Sequence, residues 1–307
     1  MATPVILLMV AVACLMLVGT IAPQAAGLWL ALERRRAGLQ ILRADVAGVE
    51  MPYLEGGRGD TLVLIHGFGG DKDNFTRIAR HLTAHFHLVI PDLPGFGDAS
   101  REPDARYDVA SQVARLHAFR HALGLGRIHL GGNSMGGFIA AQYAATHADS
   151  VRSLWLLDAA GFEGAFDTPA IKRYAETGET VLLVRSRRGF DELMSTVMHR
   201  RAWVPPAVLN ALAERGIRDR PLHERIFGEI GSGSPTLDAV ATAISAPTLI
   251  VWGRNDRILN PNVAAHMLAS IAGSELSLLE GTGHLPMVER PRRVAADFLR
   301  FVAARGA

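Results

Sequence analysis

Six short strand-like runs, most of them apolar and each followed by a loop signal, restrict the fold of this chain more than any other feature. They are TLVLI (61–65), HLVIP (87–91), IHLGG (128–132), LWLLD (154–158), TLIVW (248–252) and ELSLLE (275–280). They are too short for helices, and most lead into Gly, Pro, Asn or Asp. A strand that is apolar at successive positions is covered on both faces. Between the runs lie stretches with helical spacing, such as Val109, Val113, Leu116 and Phe119. Strand alternating with helix predicts an α/β fold, a mostly parallel twisted sheet flanked by helices. Two more short strands are expected around Gly48 within 40–57, and helices over 74–84, 107–123, 261–271 and 290–304.

The alternation stops between 162 and 243. That stretch has no convincing buried strand, carries Arg and apolar residues at helical spacing, and is broken at Gly178, Pro205–Pro206, Pro221 and GSGSP (231–235). It reads as a helical cap inserted into the α/β core. Of 307 residues 49 % are hydrophobic and 20 % charged, enough for one large core plus the insertion. A net charge of +2 is too small to argue for a nucleic-acid partner. Cys14 is the only cysteine, which excludes an intrachain disulfide and a cysteine metal cluster.

No charge occurs before Glu33, and 5–22 is an apolar run. Roughly 20 such residues span a bilayer core. A cleaved signal peptide is the alternative, but MATP has no Lys or Arg and no clean A-x-A site follows. Arg34, Arg35 and Arg36 come next, so the positive-inside rule leaves the N-terminus outside and the body in the cytoplasm. The expected protein is single-pass, in a bacterial inner membrane. The predicted division is a membrane anchor (1–32), a juxtamembrane segment with the first strand (33–48), core (49–161), cap (162–243) and core again (244–307).

In GGNSMGG (131–137) one serine sits among four glycines, where a strand passes directly into a helix. Only residues without side chains fit so sharp a turn at two positions before and two after the serine. Gly132 and Gly136 occupy those positions, which matches the G-x-S-x-G nucleophile elbow. The turn exposes the Ser134 hydroxyl at a helix N-terminus, where free N–H groups favour negative charge. A serine needs a histidine base oriented by a carboxylate. His284, in GTGHLP after the last strand, and Asp256, ending VWGRND, follow Ser134 in the order expected for this arrangement. Asp158, ending LWLLD, is the rival acid. The oxyanion donors are expected from the N–H groups of Met135 and Phe68, with His66 bracing the Phe68 loop.

Together HGFGG (66–70), PDLPGFGDAS (91–100), GGNSMGG, WGRNDRILNP (252–261) and GTGHLPMVERP (281–291) resemble the α/β-hydrolase superfamily over residues 45–307. HGFGGDKDNF and the apolar N-terminus are similar to membrane-anchored monoacylglycerol lipases and their bacterial lipase relatives. That resemblance implies ester hydrolysis on acylglycerols through an acyl-enzyme on Ser134, with no metal or organic cofactor. An S-M-G-G elbow preceded by Asn133 also fits a meta-cleavage carbon–carbon hydrolase. Leu285 and the loop FGGDKDNF depart from that pattern. A ligand-binding member without catalysis is the reading of another class, but no triad residue is missing. The cap is expected to supply the acyl pocket through Tyr174, Leu182, Leu183, Phe190, Leu193, Met194, Met198 and Trp203, with Leu285 beside the base. Arg185, Arg187, Arg188, Arg200 and Arg201 are candidates to hold the cap against anionic headgroups.

Overall fold

A computed structural model describes residues 24–232 and 234–306. The apolar run 5–22, expected to span the bilayer, lies outside them. Among the described residues no helix is long and apolar enough to cross a membrane.

Helix α1 covers 24–36. It carries Glu33 and Arg34–Arg36 at its end and buries Ala26, so the expected boundary at 32 falls inside one continuous helix. Strands β1 (Leu39–Val46) and β2 (Val49–Gly57) form an antiparallel hairpin that turns through Ala47 and Gly48. The remaining strands are β3 (Asp60–Ile65), β4 (Phe86–Pro91), β5 (Ile128–Asn133), β6 (Val151–Leu157), β7 (Thr248–Gly253) and β8 (Ser274–Leu279). All lie in one sheet of order β1-β2-β4-β3-β5-β6-β7-β8, with β3 to β8 parallel.

Alternate residues of one strand enter opposite cores, as the unbroken apolar runs require. Val63 and Ile65 pack beneath α3 (Val109–Ala122) and α4 (Met135–Thr146), while Leu62 and Leu64 pack with Ile78 and Phe298 on the other face. Ile78 belongs to α2 (Thr76–Ala79), which a 3₁₀ turn (Lys72–Phe75) precedes. The longer helix expected over 74–84 does not form. After Ala79 the chain makes i→i+3 bonds, His81 N–H to Ile78 O and Leu82 N–H to Ala79 O, and tightens toward β4.

Between β6 and β7 the chain is helical, with α5 (Pro169–Thr177), α6 (Arg187–Val197), α7 (Pro206–Ile230) and α8 (Leu237–Val240). Thr168 and Ser186 cap α5 and α6 with their hydroxyls, and Gly178 ends α5 in the left-handed region. Pro221 was expected to break a helix and does not. It removes one backbone donor, but Asp219, His223 and Ile226, buried around it, hold that part of α7 against the core. Helices α9 (Val263–Ser270), α10 (Pro286–Glu289) and α11 (Pro291–Ala303) complete the fold.

The topology positions the site. From β3 the chain crosses to β4 on one side and later returns to β5 on the other, leaving a crevice at the carboxyl ends of β3 and β5. The loops after β3, β5, β6, β7 and β8 then lie side by side along that edge.

Candidate active site

Ser134 follows β5 and is the N-cap of α4, with φ 55° and ψ −119°. A non-glycine residue in that region is strained, and three backbone bonds hold it there. Its N–H donates to Leu157 O at 3.0 Å, and its carbonyl accepts from Phe138 and Ala160, each at 3.0 Å. The flanking glycines answer to contact distances. A Cβ on Gly132 would lie 2.1 Å from Gly136 O, and one on Gly136 would lie 2.2 Å from Ile65 O.

His284 lies in the loop after β8. Its Nδ1 stands 2.7 Å from Asp256 Oδ2, in the loop after β7. Asp256 Oδ1 accepts from the N–H groups of Ile258 (2.8 Å) and Leu259 (3.1 Å), which leaves Oδ2 for the imidazole. With Nδ1 committed to the carboxylate, Nε2 is the nitrogen left for a proton from elsewhere. Asp158, the rival acid, is fully buried at the end of β6, and its Oδ1 accepts from Gly253 N–H at 2.9 Å. Burial and the neighbouring Asp256 hold its carboxyl well above the usual carboxylate range.

The Phe68 loop begins at His66, whose ring is fully buried. Nδ1 donates to Gly67 O (2.8 Å) and Nε2 accepts from Leu93 N–H (3.1 Å), so both nitrogens brace the loop. Desolvation lowers its pKa and favours this neutral form. Neither the Phe68 nor the Met135 N–H has an acceptor among the described residues. Met135 follows Ser134 directly, and the Phe68 loop closes on the same turn, where a Cβ on Gly67 would lie 3.2 Å from Ser134 Cβ.

Sequence reasoning missed three supports. Asn133 Nδ2 donates to Leu157 O (3.0 Å) and His284 O (3.1 Å), tying the elbow to the base loop. Glu289 accepts from Gly283 N–H (2.8 Å) and Arg200 N–H (2.7 Å), joining the base loop to the cap. Lys72, with its side chain 1 % exposed, donates to Asp92 and Asp98, each at 2.7 Å, behind the Phe68 loop. Arg215 of α7 reaches Asp71 (2.8 Å) and Asp98 (3.1 Å) in the same network. Lys72 had a signal, being one of only two lysines in an arginine-rich chain.

Ser134 and His284 open onto a cavity of about 230 Å³. Phe190, Met194, Met198 and Leu285, with Leu182 and Leu193, line it. Three expected residues do not. Leu183 is buried between Leu182 and Val184, and those two neighbours line the cavity instead. Tyr174 packs its ring edge-on against Phe227, 4.8 Å between centroids. Trp203 is 72 % exposed and points away, while Ala202 and Val204 on either side of it line the cavity. In both segments alternate residues face opposite ways in a non-helical backbone, which helical spacing could not anticipate.

The family profile described as alpha/beta hydrolase fold matches residues 60–291. Lipase 1 of Psychrobacter immobilis is 39 % identical over 274 residues, 88 % of this chain and 86 % of that protein. Monoacylglycerol lipase ABHD6 of Mus musculus is 30 % identical over 284 residues, 88 % of this chain and 84 % of that one. The crystal structure of a membrane phospholipase A, described as a bacterial virulence factor, superposes with a TM-score of 0.91 at 38 % identity, covering all of both chains. The chain belongs to the α/β-hydrolase fold family, as a serine hydrolase of its lipase and esterase branch.

Proposed function

We propose that this chain is a membrane-tethered esterase that hydrolyses monoacylglycerols. Ser134 Oγ attacks the ester carbonyl while His284 Nε2 takes its proton, and Asp256 stabilises the imidazolium that forms. The N–H groups of Phe68 and Met135 receive the oxyanion. The glycerol alcohol leaves with the proton from His284. Water, deprotonated by the same imidazole, then releases the fatty acid.

The observation that carries the reading is the cavity. Its apolar wall comes mostly from cap side chains such as Leu182, Phe190, Leu193 and Met194, with Asp71, Arg201, Arg215, Asp219 and His223 adding polar groups, and Ser134 and His284 open onto it. A largely apolar wall beside the nucleophile suits an acyl chain.

A tether through 5–22, with the body on the cytoplasmic side, is part of the proposal. It is supported by the surface beside α1. Leu28 and Trp203 are each 72 % exposed, and Trp29, Arg36, Arg77, Arg80 and Trp203 line a shallow basin there, with Glu33 the single acidic residue among them. Tryptophan and arginine beside an apolar span suit a headgroup layer. The cap arginines named as candidates from the sequence suit it less. Arg185 pairs with Glu179 (3.1 Å), and Arg187 and Arg201 both pair with Asp191 (3.4 and 3.6 Å).

The test is fatty-acid release by detergent-solubilised protein. The panel holds monoacylglycerols of graded length, a diacylglycerol, a diacyl phospholipid, p-nitrophenyl esters and a meta-cleavage dienoate, with Ser134→Ala as control. Monoacylglycerol turnover abolished by the substitution supports the proposal. Preference for the phospholipid overturns the head group, and dienoate cleavage without ester turnover overturns the reaction class.

A further inference from the structure

Asp158 has no part in the mechanism above, yet it is built into the same buried corner. One carboxylate oxygen of Asp158, one of Asp256 and one nitrogen of His284 all lie within 4.8 Å of one another. The Asp158 side chain is fully buried, and its backbone is held at φ 43°, a strained value for a non-glycine residue. Only Oδ1 has a partner, the Gly253 N–H, and Oδ2 is a buried oxygen with none among the described residues. Asp256 has spent Oδ1 on two backbone N–H groups and Oδ2 on His284. Every group that meets Asp256 therefore donates to it, except the neighbouring carboxyl.

Two carboxylates this close, away from water, do not both ionise. Of the two, Asp256 holds three donors and Asp158 one, so the negative charge belongs on Asp256. We propose that Asp158 is a positioning residue which, as the neutral acid, donates from Oδ2 to the Asp256 carboxylate and keeps that carboxylate aimed at His284. The inference rests on Asp256 being the acid of the triad. The direction of the Asp158 shift, upward through burial and the charge of Asp256, agrees with it. The charged and titratable groups facing Asp158 are Asp256 after β7, His284 after β8 and Glu289 of α10. Both carboxylates disfavour its ionisation. When alkaline pH does remove its proton, the two adjacent charges repel, and Asp256 loses its alignment.

The experiment compares full-length Asp158→Asn, Asp158→Ala, Asp256→Asn and Ser134→Ala on one p-nitrophenyl ester across pH, with thermal unfolding of each. Asp158→Ala is expected to lower kcat/KM on the order of 10²-fold, the cost of a misaligned catalytic group. Asp158→Asn is expected to recover most of that loss, because its amide donates to Asp256 without charge. It should also extend activity past the alkaline limit of the wild type, since the amide does not titrate. A second readout does not depend on activity. The infrared difference between the wild type and Asp158→Asn at neutral pH should contain the carbonyl band of one neutral carboxylic acid, lost on substitution, over whatever Asp71 contributes to both. Equal impairment of the two Asp158 variants, an alkaline limit unmoved in Asp158→Asn, or no neutral-acid band to lose each overturns the inference. If Asp158→Asn is dead and Asp256→Asn active, the triad acid was misassigned. If Ser134→Ala stays active, the underlying mechanism fails regardless of Asp158.

Discussion

Replacing Gly136 by alanine tests whether backbone contact at the elbow sets the oxyanion hole. The new Cβ would lie 2.2 Å from Ile65 O and 2.5 Å from His66 O. Both are main-chain atoms where β3 runs into the Phe68 loop, so no side chain can swing aside. Real Cβ contacts essentially never fall below 3.0 Å, and the two backbones must separate by close to an ångström. A displacement of that size at a positioned group costs on the order of 10²-fold in rate. The overpacking itself costs about 1–3 kcal/mol, which a domain of this size survives. The assay is kcat and KM on p-nitrophenyl butyrate, with thermal unfolding to show that the variant is folded. The expected result is a kcat lower by about two orders of magnitude with KM little changed, because the oxyanion contact strengthens only in the transition state. Gly228→Ala is the control. It lies in α7 with nothing within 4 Å of the added methyl, and should gain roughly 0.5–1 kcal/mol without touching kcat. A folded Gly136→Ala protein with wild-type kcat would refute the link between elbow packing and the oxyanion loop.

Three further outcomes are expected. Lys72→Met leaves the buried Asp92 without its cation, while Asp98 keeps Arg215, and should cost about 3–5 kcal/mol, read as a fall in Tm; a loss below about 1 kcal/mol would show that the buried Lys72–Asp92 pair is idle. His129 has its pKa pushed down to about 4 by burial, so the folded state refuses a proton that the unfolded state takes near pH 6.5, and stability falls as pH drops through that window. His129→Leu should flatten that fall by at most about 1.4 kcal/mol per pH unit, as urea midpoints at pH 7 and 5 would show. Trp203→Ser, which removes an exposed ring outside the cavity, should slow turnover of monoacylglycerol in anionic vesicles and leave soluble p-nitrophenyl butyrate unaffected; equal loss on both substrates would place Trp203 in the cavity instead of at the lipid.

The sequence by itself determined what depends on local chemistry. Strands apolar at every position have to be covered on both faces, so Leu62–Ile65 and Leu154–Leu157 announced a buried parallel sheet. The glycines flanking Ser134 announced a turn too tight for side chains, and the VWGRND and GTGHLP loops announced where the carboxylate and imidazole stand, because each directly follows a strand. What tertiary structure decided depends on where neighbours come to rest. Helical spacing could not show that Leu183 and Trp203 turn away from the cavity, since non-helical backbone throws alternate residues to opposite sides. Nor could it show that α7 runs on through Pro221, where contacts beyond the proline outweigh one lost backbone bond. The pairing of Lys72 with Asp92 joins the 3₁₀ turn after β3 to the end of β4, which only the sheet order brings together. So does the meeting of Asp158 with Asp256. Two strand-end carboxylates looked like competing candidates for one role, and only the adjacency of β6 and β7 sets them close enough that one must carry the charge and the other the proton.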